Sequence, residues 1–131
     1  MTDPLNIRTV NANEIPQLAE ALADVLVDCV DGGASVSFTA PLPRARALQF
    51  WTNVADGIAQ ADRILLIAES SDGRIAGTVQ LVIGQPENQP HRADVSKLLV
   101  HRDFRRLGVG RKLMEELEVV ATRSARTVLV L

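Results

Sequence analysis

The chain has 131 residues, of which 47% are hydrophobic and 23% are charged, and its formal net charge at pH 7 is −2. This length fits one compact domain, and the nearly balanced charge argues against a general nucleic-acid or membrane binder. Cys29 is alone, which excludes an internal disulfide, and the sequence shows neither a secretory signal pattern nor a run of membrane-spanning length, so a cytoplasmic location is predicted.

The first half of the chain predicts one strand and two helices. Apolar and polar side chains alternate over residues 5–10, which indicates a strand. A helix should follow with Asn13 as its cap and Pro16 in its first turn, and it should end at Gly32 and Gly33. After a small, polar segment at 33–42, a second helix is predicted to begin near Pro43 and to bury one stripe of side chains, namely Ala47, Phe50, Trp51, Val54 and Ile58.

The second half predicts a sheet interrupted by one helix. Arg63–Glu69 is a buried strand, Asp72 and Gly73 form a hairpin turn, and residues 75–83 return as a longer strand. A loop with two prolines at 85–90 precedes a strand at 93–100, a basic connection at 101–107, a helix at Val109–Arg123 and a last strand at 127–131. In that helix Leu113, Leu117, Val120 and Ala121 should face inward. The order β-α-α-β-β-β-α-β predicts an α/β domain, with a mixed sheet because the middle strands form hairpins.

A basic, glycine-containing turn joins the strand at 93–100 to the helix at Val109–Arg123. Five of the 14 basic residues (Arg102, Arg105, Arg106, Arg111 and Lys112) lie within positions 101–112, where only Asp103 opposes them. A helix N-terminus offers unpaired N–H groups and partial positive charge, and Gly108 and Gly110 let a ligand approach the backbone closely. We therefore predict that the turn binds the phosphate groups of one anionic ligand.

Two other glycine-rich phosphate sites fit the turn poorly. A dinucleotide fold requires G-x-G-x-x-G followed by an acidic residue about 20 positions later, but Leu113 replaces the third glycine and the residues around position 128 are apolar. A P-loop requires G-K-[ST], whereas Gly110 is followed by Arg111, Lys112 and Leu113, which leaves no hydroxyl for magnesium.

The pattern R-x-x-G-x-G, placed after a strand that ends in Leu98-Leu99-Val100, resembles motif A of the GNAT superfamily of N-acetyltransferases. The segments at 30–38, 80–81 and 92–98 are similar to tabtoxin-resistance-type acetyltransferases within that superfamily. The resemblance implies a GNAT fold, acetyl-CoA as cosubstrate, no metal, and a primary amine of a small molecule as acceptor, in that group an amino-acid-like toxin. The cofactor-binding residues that it implies are Leu98, Leu99, Val100, Arg105, Arg106, Leu107, Gly108, Val109, Gly110 and Arg111.

Asp94 is the predicted general base, because it lies six residues before Val100, where several GNAT enzymes keep a catalytic glutamate. Aspartate is one methylene shorter than glutamate, so it could act through a water. If no bulge intervenes, Asp94, Ser96, Leu98 and Val100 share one face of the strand. The alternative is a carboxylate that only pairs with Arg92 or Lys97, and His91 is then the next base to consider. The resemblance also implies that the N–H of Leu99 or Val100 stabilises the oxyanion, and that Gly33, Ser35, Phe38 and Gln80 face the substrate.

The chain contains no tyrosine, although GNAT enzymes commonly use one as the acid that protonates the thiolate. By resemblance, that tyrosine and the last strands would follow Leu131, so we expect residues 1–131 to be one GNAT domain truncated at its fifth strand. The alternative function is a non-catalytic CoA-binding or dimerising fragment of such an enzyme. The apolar segment at 127–131 would then be an exposed edge through which a homodimer could form.

Overall fold

A computed structural model describes residues 5–32, 41–83, 92–123 and 128–130. The elements in chain order are β1 (Asn6–Val10), α1 (Ile15–Asp31), α2 (Arg44–Ala59), β2 (Arg63–Glu69), β3 (Ile75–Val82), β4 (Arg92–Val100), α3 (Val109–Arg123) and β5 (Val128–Val130). Short 3-10 turns at Ala12–Glu14 and Arg102–Phe104 precede α1 and α3. The predicted order is confirmed, while the predicted loop at 85–90 and positions 33–40 of the polar segment lie outside the described residues.

The five strands form one sheet in the order β1-β2-β3-β4-β5. The first four are antiparallel neighbours, and β5 runs parallel to β4. Parallel neighbours need a long crossover connection, which α3 provides here. The predicted mixed sheet is therefore confirmed, whereas the self-association expected through the last strand stays a prediction.

Helices cover both faces of the sheet, so the core has two layers. One layer lies between the sheet and the pair α1 and α2, and it includes Leu65 and Ile67 of β2. The other lies against α3 and includes Leu66 and Ala68 of the same strand. Because β2 is buried on both faces, its sequence is continuously apolar from 64 to 68 and does not alternate. No helix within the described ranges has the length and apolarity needed to cross a bilayer.

The inward faces of the helices are mostly as predicted. Ala47, Trp51 and Val54 of α2 are buried, and Leu113, Leu117 and Ala121 of α3 are buried as well. The three remaining predicted positions, Phe50, Ile58 and Val120, are partly buried and pack against the two core layers.

The predicted cap of α1 is wrong. Asn13 lies inside the 3-10 turn, and the chain enters that turn at Asn11, whose backbone N–H donates to the Glu14 carboxylate at 2.8 Å. Glu14 also accepts from Arg8 at 2.7 Å, and these two hydrogen bonds lower the pKa of its carboxyl group, the backbone bond having the larger effect. Pro16 lies in the first turn of α1 as predicted, and the helix ends at Gly32, whose N–H donates to the Asp28 carbonyl at 2.9 Å.

A β-bulge in β4 overturns the predicted grouping of Asp94, Ser96, Leu98 and Val100 on one face. Thr78 and Gln80 of β3 are two residues apart, but their β4 partners Leu99 and Ser96 are three apart. The extra residue reverses the alternation within β4. Asp94 and Ser96 therefore face α1 and α2 together with Leu99, whereas Val95 and Val100 face α3.

Candidate functional site

The turn between β4 and α3 has a left-handed backbone conformation at the first of its two glycines. Gly108 has φ +74°, and the first hydrogen bond of α3 runs from the Lys112 N–H to the Gly108 carbonyl at 3.0 Å. The amides of residues 109–111 precede that bond and have no partner inside the helix. They form the part of the turn that can donate to an anion.

Arg106 also has a positive φ, +67°, which is uncommon for a residue with a side chain. Such a conformation costs about 1–3 kcal/mol and persists where the surrounding structure imposes it, often at a binding site. Two left-handed residues within three positions curl the backbone from Arg106 to Gly108. The curl precedes the helix that carries the free amides.

The connection that leads to this turn is fixed to the end of α1. The Asp28 carboxylate accepts from the Arg102 backbone N–H at 2.9 Å and from the Arg102 guanidinium. The His101 N–H donates to the Ala76 carbonyl at 2.8 Å, and its Nδ1 accepts from the Asp103 N–H at 3.1 Å. These contacts hold residues 101–103 in place before the turn begins.

Asp103 is fixed in turn by Arg74 from the β2–β3 hairpin. Arg74 donates to its carboxylate at 2.8 Å, which is the main reason that the pKa of Asp103 is lowered. The same guanidinium lies 4.8 Å from the centre of the Phe104 ring. Arg74 of the hairpin therefore contacts both Asp103 and Phe104.

The five basic residues that the sequence groups together do not act as one charged patch. Arg102 is engaged by Asp28, and Arg105 contacts the Cys29 thiol and lies beside Gly32 at the end of α1. Arg111 pairs with Glu115 at 3.1 Å on the exposed surface of α3. Arg106 and Lys112 are exposed and form no ion pair with another described residue.

Cys29 is buried behind this turn. Its Sγ lies 3.5 Å from the Val100 carbonyl oxygen, and burial raises the pKa of the thiol. A buried thiol with a raised pKa supplies little thiolate, so the environment does not favour a nucleophilic role.

Beyond the bulge, one edge of β4 is open. The pairing of β4 with β5 covers Arg92–Asp94 against Val128–Val130, and no described strand pairs with β4 on that side from Val95 to Val100. Leu98, at the bulge, is 45% exposed, while Leu99 is buried. An extended ligand can hydrogen-bond to an open strand edge of this kind.

Asp94 lies at the far end of that open edge from the turn at Arg106–Gly108. It is half-buried, faces α1 and α2, and is opposite Val82 on β3 and Val130 on β5. Six strand residues span about 20 Å at 3.3 Å each, so the carboxylate and the turn are well separated along β4. Only a long ligand lying along the edge could reach both.

Gln80 is the one predicted substrate-facing residue that the structure describes. It is 1% exposed, and its Oε1 accepts from Arg63 Nη1 at 3.2 Å. The other predicted substrate residues, Gly33, Ser35 and Phe38, lie outside the described residues, as does His91.

Arg63 and Asp28 contact residues of the candidate site, although no sequence pattern indicated either of them. Arg63 contacts Gln80 across 17 positions and Asp28 contacts Arg102 across 74, so no local spacing predicts either contact. Within the described ranges, no cluster of three or more His, Cys, Asp or Glu side chains could hold a metal ion.

An open groove of about 750 Å³ lies on the outer side of α1, against the β2–β3 hairpin and residues 101–103. Arg44 pairs there with Glu20 and, at 2.8 Å, with Asp24. The groove contains neither Asp94 nor the turn residues 105–111, so it is separate from the candidate site.

Residues 20–131 match the family model described as Acetyltransferase (GNAT) family. An acetyltransferase of the GNAT family from Staphylococcus aureus Mu50 superimposes with a TM-score of 0.70 at 15% identity, covering 94% of this chain and 70% of that one. The structure of yncA from Salmonella typhimurium with its cofactor acetyl-CoA gives 0.69 at 17%, covering 96% and 68%. An aminoglycoside acetyltransferase from an uncultured soil metagenomic sample, in complex with sisomicin, gives 0.70 at 16%, covering 95% and 74%. At these identities the structural matches establish the fold alone.

Proposed function

Because the chain belongs to the GNAT acetyltransferase family, we propose that it is an acetyl-CoA-dependent N-acetyltransferase acting on a primary amine of a small molecule. The observation that carries this proposal is the turn at Arg106–Gly108, where two positive-φ residues lead into the free amides of α3 at the end of an open strand edge. The turn and the amides would bind the anionic portion of one long ligand, and the open strand edge would bind its extended portion.

The residues present fit acetyl-CoA. The amides of Val109, Gly110 and Arg111 would hold the pyrophosphate, with Arg106 adding charge. The open edge of β4 around Leu98 and Leu99 would pair with the pantetheine arm. Acetyl-CoA, when bound, supplies an activated acetyl thioester. The similarity to yncA, whose structure contains acetyl-CoA, supports this assignment.

In this proposal, backbone amides of β4 beside the bulge lie near the reacting end of the ligand. A bulge residue is left outside the strand ladder, so its neighbours can donate to a ligand oxygen. We assign the oxyanion contact to the N–H of Leu99 or Val100, since donors aimed at developing charge lower the barrier.

Asp94 takes the proton from the acceptor amine in this proposal. A general base is needed because an ammonium group has no lone pair for attack on the acetyl carbon. The half-buried carboxylate of Asp94 faces the α1 and α2 side of the sheet, as does Gln80. The similarity to an aminoglycoside acetyltransferase solved with sisomicin supports a small, amine-bearing acceptor.

The test has two parts, cofactor binding and transfer. We expect isothermal titration to show one acetyl-CoA site per chain, and a thiol-detecting assay to show CoA release with at least one of glycine, L-lysine, spermidine and sisomicin. Mass spectrometry should then find that amine heavier by one acetyl group. Absence of acetyl-CoA binding by the folded protein would refute the proposal.

A further inference from the structure

Gln80 carries a buried hydrogen-bond donor that no other described residue satisfies. Its side chain is 1% exposed, and its Nε2 has no partner within the described part of the chain. Leaving such a donor unsatisfied is destabilising, because the buried group has lost its hydrogen bonds to water. Buried polar atoms therefore nearly always contact the protein, ordered water or a ligand, and each exception needs a physical explanation.

Arg63 fixes the direction in which this donor points. The Arg63 guanidinium donates to Gln80 at 3.2 Å. Because a guanidinium has donors only, the atom of Gln80 that faces it must be the oxygen Oε1. Arg63 belongs to β2, and β4 lies on the other side of β3, so we infer that Nε2 points towards β4.

Arg63 is itself held firmly. Its Nε donates to the Asp62 carboxylate at 3.0 Å. The guanidinium also lies against the backbone of α2 at Gly57, where an added Cβ would be 2.4 Å from Nε. The absence of a side chain at Gly57 thus makes room for the arginine that orients Gln80.

The strand register places Gln80 beside the predicted base. Gln80 is opposite Ser96 on β4, and Asp94 is the diagonal neighbour on the same face. The backbone positions of diagonal neighbours are about 7–8 Å apart, which is near enough for one water to contact both side chains. Ser96 and Asp94 are both half-buried, so they can contribute polar groups to a shared water site.

We propose that Gln80 is a positioning residue for Asp94, because its Nε2 holds a buried water against the Asp94 carboxylate. This inference depends on the proposed function, in which Asp94 is the base. The water oxygen accepts one hydrogen bond from Gln80 Nε2 and one from the acceptor amine, and the water donates to Asp94. A proton of the acceptor ammonium passes to the water while a water proton passes to Asp94, which frees the nitrogen lone pair. The nitrogen then bonds to the acetyl carbon, and the bond from that carbon to the CoA sulfur breaks, so that CoA leaves as the thiolate. An aspartate, one methylene shorter than glutamate, can act as base through such a water.

The water site can be tested without any activity. The side-chain amide protons of Gln80 would be assigned by NMR from the signals that vanish in Gln80→Met. We expect these protons to show cross-relaxation with a long-lived water in the wild-type protein. Absence of that water contact would overturn the proposal.

The effect on catalysis is tested with Gln80→Glu and Gln80→Met. The glutamate keeps the oxygen that Arg63 needs but lacks the donor, whereas methionine lacks both. We expect both variants to lower kcat by about 10- to 100-fold, typical of a misplaced catalytic group, with unchanged affinity for acetyl-CoA. The matched controls are Gln17→Glu and Gln17→Met on the exposed surface of α1, which should retain wild-type kcat.

Two outcomes separate a positioning role from a structural one. In an Asp94→Asn background, Gln80→Glu should cause no further loss, because Gln80 acts through Asp94. If Gln80→Glu keeps full kcat and only Gln80→Met loses it, Gln80 merely partners Arg63 and the proposal is wrong. If the wild type binds no acetyl-CoA, the proposed function fails, and the NMR measurement still decides whether Gln80 holds a water.

Discussion

Replacing Gly108 with alanine tests whether the turn before α3 binds a ligand or only caps the helix. Gly108 has φ +74°, and an added Cβ would meet no atom within 4 Å. The cost to the folded protein is therefore backbone strain alone, about 1–2 kcal/mol for a left-handed residue with a side chain. If the turn binds acetyl-CoA, the same Cβ enters the space that the ligand needs.

Gly73 provides a matched control for the strain. It lies in the β2–β3 turn with φ +86°, and a Cβ there would also meet nothing within 4 Å. An unfolding entropy of about 2.1 cal/mol/K per residue gives about 0.3 kcal/mol/K for a chain of this length. Each alanine variant should therefore lower Tm by roughly 4–7 °C.

The two variants should differ in their affinity for acetyl-CoA, measured by isothermal titration well below Tm. Gly73→Ala should bind as the wild type does. Gly108→Ala should bind about 10- to 100-fold more weakly, corresponding to the loss of a charge-assisted hydrogen bond of about 1.5–3 kcal/mol. Equal affinities in two comparably destabilised variants would show that Gly108 serves the turn and not the ligand.

Three other changes test separate parts of the site. Arg106→Ala should weaken acetyl-CoA binding by about 1–3 kcal/mol, by titration, and the loss should shrink at high salt; an affinity equal to wild type would exclude Arg106 from the site. Asp94→Asn should lower kcat by about 10²–10⁴-fold at unchanged acetyl-CoA affinity, by steady-state kinetics, and normal turnover across the pH range would make it a structural carboxylate. Asp103→Asn should reduce stability at neutral pH, because the lowered pKa of Asp103 reflects a hydrogen bond from Arg74 to the charged form. The wild type should therefore have a higher Tm than Asp103→Asn above about pH 4, and the difference should disappear as the pH falls through the folded-state pKa of Asp103. A difference in Tm that stays constant at all pH values would contradict this prediction.

Helices and strands could be predicted from the sequence where hydrophobic pattern and flanking residues indicate the same bounds. The bounds of β2 and α3 match their predictions because β2 is an unbroken apolar run and α3 has an apolar stripe that begins just after Gly108. The error at the start of α1 was avoidable. Asn11 and Glu14 have the three-residue spacing of a reciprocal cap, and that spacing favours Asn11 over Asn13.

The bulge in β4 could not be predicted from alternation. Residues 98–100 are all apolar, so the sequence contains no polar position that would show which face each one takes. Only the pairing with Thr78 and Gln80 on β3 reveals the extra residue. Similarly, Arg102 lies close to the other basic residues in the sequence, but its charge is paired with the carboxylate of Asp28, which is 74 positions away.

In the proposed enzyme, the base and the turn that binds the cofactor lie at opposite ends of β4 and on opposite faces of the sheet. Val100 packs on the α3 side, with its Cγ2 3.8 Å from where a Cβ on Gly110 would lie, so the end of β4 is tied to the helix that carries the free amides. Asp94 faces the other side, towards α1 and α2, with Gln80 as its diagonal neighbour. A regular strand would put residues 94 and 100 on the same face, and the base would then point into the layer against α3. The extra residue at the bulge lets the two ends of β4 direct these side chains to opposite faces, so the proposed phosphate-binding turn and the proposed base can contact one ligand along the open edge between them.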